Sequence, residues 1–567
     1  MMNKARLLST VAEARVGLSQ LAENQFEKIR RAIGNARVVL IGEETHGTQE
    51  FYALRAEITK ALIEREDFSL VLCESDFPTF YKLHQYVGGT QSATQMLSNS
   101  PSDTYSASKP VTSPPRMPSM ETSEVSSHPV TMAAADMPNM STEEVMEVLK
   151  ARFPVWMWRN EVVRDFVQWL KAENLRREIA TTTPYYSTLP VALFGLDIYS
   201  MFTSTDQVIS YLDAVDPEMA DRARKRYGVL QKFRPDEAEY CRALLRGKIQ
   251  PQNNKIKLML DELNGKAGEY KSLFGDGDEY FSAHENARIV LAAEEYYRQS
   301  YFGSSLTWNI RDHAMVDMIM NALDFHDEKL AALHRDNAES GNAEEGSRAP
   351  PQRARAVVWA HNSHVGDAEA TEQYERWGQV NVGHLVRQVL GKEDCFLIGL
   401  STNTGTVRAA RRWNGRDHVM ELNPALEGST EAILHEASKA APEMSEFGLF
   451  FRRNLIDEVT PGVLSPAEEV ARAELEKKRL ERFVGVQYVK QSERQSHYSM
   501  CSLSNQFDLL IYLDETSALR PLPELTEPHV PPPPSASLRP GTVDYTKWDK
   551  FCADQDEEDD DEPEPAK

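Results

Sequence analysis

The sequence predicts an α/β fold: a mainly parallel sheet with flanking helices and a helical middle region that covers the active edge. Five short apolar runs have the length and composition of buried parallel strands: residues 37–42, 69–74, 190–197, 356–361 and 394–400. A helical pattern from Gln49 to Glu66 separates the first two runs, as a crossover between parallel strands requires, and its apolar stripe comprises Phe51, Leu54, Ile58 and Leu62. The long stretch from Ser204 to Leu323 is rich in helix formers and poor in strand signals, which indicates the helical region.

Changes in composition divide the chain into seven segments. Residues 88–140 are crowded with Ser, Thr, Pro and Met, which predicts a disordered insertion that is protease-sensitive and largely dispensable. Residues 331–356 mix charge, Gly and a Pro pair and are predicted to be a surface loop. A proline-rich linker and acidic tail occupy 520–567. The remaining segments are the α/β core at 1–87, 141–203 and 357–519, and the helical lid-like region at 204–330.

Composition and charge exclude several classes of protein. The 567 residues are 41% hydrophobic, enough for a large core, and the apolar runs are shorter than the ~18 residues that span a bilayer. A formal net charge of −24 disfavours nucleic acid and anionic membranes as partners, because binding to them depends on Lys and Arg. Five cysteines without CxxC spacing, and an opening segment without the apolar core of a secretory signal, predict a cytoplasmic protein. The sequence makes no prediction of oligomeric state.

Ionisable residues follow the predicted strands at the points where the strands end. The set comprises Glu43, Glu44 and His46 after the first strand, Glu74 after the second, Asp197 at the end of the third, and His361 and His364 after the fourth. Because the carboxyl ends of parallel strands border one crevice, we expect these side chains to share a ligand site. Taken singly, each is equally well explained as a helix cap or a hydrogen-bonded turn residue. Several strands carrying His or Glu at one edge favour a functional site.

One of these strand ends also carries a family resemblance. The sequence GEETHGTQEF at 42–51, followed by Arg55, resembles the GE-x-THG-x-x-EF signature of erythromycin esterase-like proteins. Similar blocks continue in the family's order: WMW at 156–158, GLDIYS at 195–200, RDHAM at 311–315, WAHNSHV at 359–365, NVGHLVR at 381–387 and ERQSHY at 493–498. The resemblance covers most of the chain before the proline-rich linker, and it implies a hydrolase of a carboxylic ester or lactone. Glu44 stands where the family usually has a small residue, and the insertions after Val87 and before Val357 are long, which bears on substrate access.

The predicted chemistry is the attack of an activated water. The chain has no GxSxG elbow, no GxxxxGK[ST] loop, no GxGxxG after a strand and no HExxH helix, which disfavours serine-triad, nucleotide and zincin chemistry. A hydrolase without an activated side-chain nucleophile needs a general base, and the ordinary pKa of His, ~6.5, suits that role. His46 is the candidate base. Glu43 is expected to orient its imidazole and Glu74 to participate directly, with the reverse assignment open.

The resemblance implies further members of the site. His361 is assigned as general acid or oxyanion donor, and His364 as its support on the substrate side. Arg55 is assigned to substrate binding, where it would stabilise a developing oxyanion, and a structural ion pair with a strand-end carboxylate is the other interpretation. His313 and His497 are left outside the predicted catalytic set.

Two other functions remain open at this point. The donor atoms of His46, Glu74, His361 and His364 suit a divalent metal, which would itself activate the water. Because the HNxH pair lacks the i, i+4 spacing of helical zinc sites, we expect catalysis without a metal or another cofactor. The second alternative to the metal-independent hydrolase is a non-enzymatic binding protein in which the cleft remains. The expected partner is a small-molecule ester or lactone.

Overall fold

A nine-stranded sheet forms the centre of the protein. The computed structural model describes residues 4–88, 140–180, 189–273, 277–301, 306–339, 353–440, 442–452 and 464–523. Its strands are β1 (Val16–Gly17), β2 (Val38–Ile41), β3 (Leu70–Asp76), β4 (Ala192–Asp197), β5 (Ala356–Trp359), β6 (Cys395–Ala410), β7 (Asp417–Leu422), β8 (Phe447–Phe450), β9 (Arg479–Arg482), β10 (Tyr498–Cys501) and β11 (Leu509–Thr516). Strands β9 and β10 form a separate antiparallel pair.

The order and direction of the strands confirm the predicted α/β class. Six strands lie parallel in the order β11-β6-β2-β5-β3-β4. Strand β8 pairs antiparallel with β11, β1 pairs with β8, and β7 pairs with the second half of β6. The five apolar runs singled out from the sequence are β2 to β6.

Successive residues of a central strand serve two different cores. Val39 and Ile41 of β2 pack into the cluster on one face of the sheet, whereas Val38 and Leu40 pack into the cluster on the other. This alternation follows from the two-residue period of a strand. Because both faces are covered, all four residues are buried and the strand appears in the sequence as a continuous apolar run.

Helices cover the sheet and form the middle region. They are α1 (Lys4–Ala14), α2 (Leu18–Ile33), α3 (Gln49–Arg65), α4 (Phe77–Val87), α5 (Thr142–Met146), α6 (Val155–Trp158), α7 (Glu161–Ala180), α8 (Met201–Val215), α9 (Pro217–Gln231), α10 (Glu237–Leu245), α11 (Asn253–Gly265), α12 (Ala267–Lys271), α13 (Asp278–Tyr301), α14 (Thr307–Glu339), α15 (Asn362–Val365), α16 (Glu372–Trp377), α17 (Val382–Leu390), α18 (Thr430–Ser438), α19 (Pro466–Leu475), α20 (Glu493–Ser496) and α21 (Leu503–Gln506). Helix α3 ends one residue before the predicted end at Glu66.

The helical middle region has a hydrophobic core of its own. Helices α8 to α13 surround a cluster rich in tyrosine, which includes Tyr227, Tyr240 and Tyr297. The 33-residue helix α14 follows and packs against β4 of the sheet. The surface loop predicted at 331–356 is wrong in its first part, because residues 331–339 continue this helix. Their sequence, AALHRDNAE, contains several strong helix formers and no Gly or Pro.

Two predicted segments lie outside the described residues. The insertion predicted at 88–140 is described at Gly88 and Met140 alone, and the linker and tail predicted at 520–567 are described through Pro523. None of the described helices combines the length and apolar character that crossing a membrane requires.

Candidate active site

The loop after β2 is held by residues far away in the sequence. The His46 backbone N–H donates to the Val484 carbonyl at 3.1 Å, and the Val484 N–H donates to the Glu44 carbonyl at 2.8 Å. Gly47 permits a close approach of two backbones, because a Cβ at this position would lie 1.8 Å from the carbonyl oxygen of Arg408. These contacts fix the backbone from which the His46 side chain extends.

Glu43 and His46 form a hydrogen-bonded pair on this loop. His46 Nδ1 lies 2.9 Å from Glu43 Oε1, and both side chains are buried or nearly so. A carboxylate at Nδ1 favours the tautomer whose proton is on that nitrogen. His46 Nε2 is therefore the nitrogen that can accept a proton.

Arg55 forms an ion pair with the carboxylate oxygen of Glu43 that does not contact His46. Its Nη2 lies 2.9 Å from Glu43 Oε2, and its guanidinium lies over the rings of Tyr52 and Trp359, at 4.3 and 5.2 Å from their centroids. The side chain is fully buried and does not line the cavity described below. This geometry fits the structural ion pair with a strand-end carboxylate, the alternative to the substrate contact predicted for Arg55. Arg55 therefore holds Glu43 in place.

Glu74 at the end of β3 is an ionised carboxylate. Its Oε2 accepts a hydrogen bond from the His361 backbone N–H at 2.9 Å, and its Oε1 accepts one from Arg311 Nη2 at 2.7 Å. Burial alone would raise the pKa of Glu74, but His364 and Arg311 outweigh burial and hold the pKa well below its usual range.

His361, after β5, has both ring nitrogens engaged. Its Nε2 donates to the Glu44 carbonyl at 3.0 Å, and its Nδ1 accepts from the Ser363 hydroxyl at 2.8 Å. Burial and the neighbouring His46 ring, 4.7 Å away between centroids, lower the pKa of His361 well below its usual value. His361 is thus neutral, and its one ring proton is already donated to the backbone. This arrangement does not offer the proton that a general acid or oxyanion donor would need.

His364 lies between two carboxylates. Its Nδ1 is 2.8 Å from Asp312 Oδ2 and its Nε2 is 3.3 Å from Glu74 Oε1. Burial lowers the pKa of His364, but Asp312 and Glu74 outweigh burial and raise the pKa to about 9. Arg311 Nη1 also lies 2.9 Å from Nε2, a contact in which a neutral imidazole accepts. Nε2 therefore has two alternatives: it accepts from Arg311 when neutral and donates to Glu74 when protonated.

These residues border a cavity of about 970 Å³ between the sheet edge and the helical region. Four of the residues predicted from the sequence line it: His46, Glu74, His361 and His364. Glu43 and Arg55 lie behind His46 and do not. The rest of the wall includes Tyr199 and Trp308 from the helical side and Phe483 from the β9–β10 side, so the cavity combines aromatic surface with charged groups.

The two histidines left outside the predicted set differ in position. His497 lines the cavity, but its ring nitrogens bond to the backbone of Phe483 and Val489, both at 3.2 Å, and burial lowers its pKa to about 4. It is a neutral structural residue. His313 is exposed on α14.

The prediction from the sequence missed three residues of the site, all on α14. Trp308, Arg311 and Asp312 surround His364, but the strand-end argument does not apply to residues on a helix. Arg311 and Asp312 precede His364 by 53 and 52 positions in the chain. The signal that the sequence offers is the RDHAM block, in which Arg311 and Asp312 directly precede His313.

Glu44, the residue unusual for the family, is also explained by a long-range partner. It is buried, its Oε1 accepts from Arg482 Nε at 2.6 Å, and its Oε2 accepts from the Thr402 N–H at 2.8 Å. Glu44 is thus one partner of a buried ion pair with Arg482.

The metal alternative finds little support in this geometry. Both ring nitrogens of His361 are engaged, and the Arg311 guanidinium occupies the side of His364 that an ion would need. In the described part of the chain, metal-ligand atoms gather within 4.8 Å of one another at a different place, Asp367, Glu369 and His384. There Asp367 already pairs with Arg387 at 3.0 Å.

A family comparison agrees with the fold. The model of the erythromycin esterase family matches residues 63–516, most of the chain. The chain belongs to the erythromycin esterase family. The match makes it a hydrolase of that family, and it includes Glu74, His361 and His364. Glu43 and His46 precede the matched range, so their assignment depends on the geometry of the loop after β2.

Three solved structures share the fold at low identity. A succinoglycan biosynthesis protein is 16% identical, with a TM-score of 0.59 over 91% of this chain and 98% of that one. A Bacillus cereus protein is 15% identical, with a TM-score of 0.61 over 92% and 100% of the two chains. A mutant erythromycin esterase in its open conformation is 14% identical, with a TM-score of 0.50 over 90% and 96%. At these identities the likeness establishes the fold alone.

Proposed function

We propose that this member of the erythromycin esterase family hydrolyses a carboxylic ester or lactone, by attack of a water molecule that His46 activates. One observation carries the proposal: the 2.9 Å contact between Glu43 and His46 Nδ1, which leaves Nε2 of a cavity-lining histidine as the proton acceptor. Glu43 and Arg55 keep the ring in this orientation.

The proposed reaction needs one base and one water. Water attacks the carbonyl carbon while His46 Nε2 takes its proton, giving a tetrahedral intermediate with a negatively charged oxygen. When the intermediate collapses, the bond to the alkoxide breaks and the imidazolium returns the proton to that oxygen. The products are one acid and one alcohol, which remain joined if the substrate is a lactone. Glu43 stabilises the transient imidazolium, as a carboxylate does beside other catalytic histidines.

The cavity suits a small organic substrate. Its volume of about 970 Å³ is at the upper end of the range for drug-sized ligands, ~300–1,000 Å³. Its aromatic and charged walls suit a molecule with both apolar and polar parts. Because the family and one structural neighbour are erythromycin esterases, macrolide lactones head the list of candidates. We further propose that the protein acts in the cytoplasm on such small molecules rather than on nucleic acid or membranes.

A hydrolysis panel tests this function. Purified protein, treated with a chelator and checked for residual metal, is incubated with macrolide lactones and simple aryl esters, and products are identified by mass. We expect at least one substrate to gain one water, with no loss of rate after chelation. Activity that appears only on adding a divalent metal would favour the metal-dependent alternative. Binding of the compounds without cleavage would favour the non-enzymatic one.

A further inference from the structure

The first turns of α14 surround His364 with three side chains. Trp308, Arg311 and Asp312 are spaced i, i+3 and i+4, which places them on one face of the helix. The Trp308 ring is stacked on the His364 ring, with centroids 4.4 Å apart and planes 2° from parallel. Asp312 and Arg311 contact the two ring nitrogens. The helical region thus contributes charged groups directly to the reaction centre.

Arg311 is held rigidly, yet its hydrogen-bonding capacity is not exhausted. Its Nε and Nη2 donate to Asp197 at 3.0 and 2.7 Å, Nη2 also donates to Glu74 at 2.7 Å, and Nη1 contacts His364 at 2.9 Å. A guanidinium has five N–H donors, so these four contacts leave one N–H on Nη1 that no bond within the described residues uses. Arg311 lines the cavity, with 11% of its side chain exposed.

Three polar groups close to His46 are unsuited to stabilise the oxyanion: His361, Glu74 and Arg55. The ring proton of His361 is donated to the Glu44 carbonyl. The Glu74 carboxylate is an acceptor, and it already receives the His361 backbone N–H. Arg55 lies behind Glu43 and away from the cavity. Arg311 remains as the permanently charged donor beside Glu74 and His364.

We propose that Arg311 is a catalytic residue, donating its remaining Nη1 N–H to the carbonyl oxygen of the ester as that oxygen becomes negatively charged. The inference rests on the proposed function. His46 takes the proton of the water, the carbonyl π electrons move to the oxygen, and Arg311 receives that oxygen without itself losing a proton. When His364 is protonated, its Nε2 donates to Glu74, and the second Nη1 N–H of Arg311 is released for the same oxygen.

The surroundings suit this role. Asp197 and Glu74 fix the guanidinium plane before the substrate arrives, so no reorganisation is needed as charge develops. The bidentate contact with Asp197 requires the planar fork of arginine, which lysine lacks. An Arg311→Lys variant therefore keeps the charge but loses the fixed donor.

The test compares hydrolysis with binding of a phosphonate analogue, in which a tetrahedral phosphorus with an anionic oxygen replaces the ester carbonyl. For Arg311→Lys we expect kcat to fall by ~10²–10³-fold with little change in KM, the usual cost of one oxyanion donor. The affinity for the phosphonate, measured by calorimetry, should fall in parallel. A role confined to positioning Glu74 and His364 would lower kcat without this loss of affinity.

Three controls make the result decisive. His46→Ala removes the base but not the oxyanion donor, so it should lose hydrolysis and keep most of the phosphonate affinity. Arg224→Lys, at an exposed arginine of the helical region, should change neither quantity. If Arg311→Lys does not fold, Arg311→Ala assayed with added guanidinium replaces it, and partial recovery of the rate is expected.

Failure of this inference is distinguishable from failure of the proposed function. Wild-type protein that cleaves no ester or lactone overturns the proposed function. Wild-type protein that cleaves an ester, with an Arg311→Lys variant of equal kcat or equal phosphonate affinity, overturns the assignment of Arg311 alone. Absence of rescue by guanidinium in folded Arg311→Ala also counts against it.

Discussion

Glu43 determines which nitrogen of His46 reacts. Replacing it with Gln preserves size but removes the charge that stabilises the imidazolium. We expect kcat to fall by ~10²–10⁴-fold with KM nearly unchanged, because the loss falls on the transition state. Steady-state kinetics of Glu43→Gln on the best ester would check this, and a kcat within a few-fold of wild type would show that Glu43 is not the orienting residue.

Asp312 sets the protonation state of His364. The pKa of this histidine is raised to about 9 from an ordinary 6.5, so the stability it contributes is complete below pH 6.5 and is lost as pH rises through about 9. In Asp312→Asn, burial and Arg311 still lower the pKa of His364, but Asp312 no longer raises it. The pKa of His364 should therefore fall. NMR titration of labelled histidine measures it directly. An unchanged pKa in the variant would contradict the assigned electrostatics.

The loop between β2 and α3 depends on Gly47. A methyl group at this position would collide with the Arg408 carbonyl, so Gly47→Ala should displace the loop, lower activity and destabilise the fold by about 1–3 kcal/mol. Gly228 in α9 is the matched control, because a Cβ there meets nothing within 4 Å. Gly228→Ala should be neutral or raise stability by up to ~1 kcal/mol. Thermal unfolding of both variants tests the pair, and equal effects would argue against the close approach at Gly47.

Among the helices and strands, the sequence predicts those that have a clear local pattern of hydrophobic residues. The five apolar runs and helix α3 are found as expected because burial on both faces of a parallel sheet leaves a continuous apolar signal. The run Leu509 to Leu513 carries the same signal and could have identified β11. Strand β1 is only two residues long, which is too short to be distinguished from a loop by pattern.

The sequence predicts those site residues whose place in the chain, after a parallel strand, also determines their place in the fold. His46, Glu74, His361 and His364 end neighbouring parallel strands, and they meet at the cavity. Arg311 reaches Glu74 across 237 positions of sequence, and Arg482 reaches Glu44 across 438. No local sequence pattern predicts these two ion pairs. They form because the helical region and the β9–β10 pair pack against the sheet.

On the scale of the whole molecule, a buried cluster of acids behind the site should make stability depend on pH. Glu44, Glu431 and Glu493 surround Arg482, and all four are buried. Burial and the charge of Glu44 raise the pKa of Glu431 to about 7 from 4.5. A raised carboxyl pKa favours the folded state fully below pH 4.5, and this contribution is lost as pH rises to about 7.

The Gln side chain of a Glu431→Gln variant cannot ionise, so this variant should not lose that stability as the pH rises. Compared with wild type, we expect its free energy of unfolding to be higher by about 1–3 kcal/mol at pH 8 and similar near pH 4.5. Denaturant unfolding at both pH values provides the measurement. A variant less stable than wild type at pH 8 would show that the Glu431 carboxylate is paired favourably in the folded protein.

Replacing His46 with Ala shows whether this histidine is the base that activates water. The measurement is kcat/KM for hydrolysis of the best ester or lactone by His46→Ala, beside His418→Ala, a variant of an exposed histidine on β7, with folding of both verified by thermal unfolding. We expect folded His46→Ala to lose ~10²–10⁴-fold or more of kcat/KM, and His418→Ala to match wild type. A folded His46→Ala variant that hydrolyses the substrate nearly as fast as wild type would show that His46 is not the base.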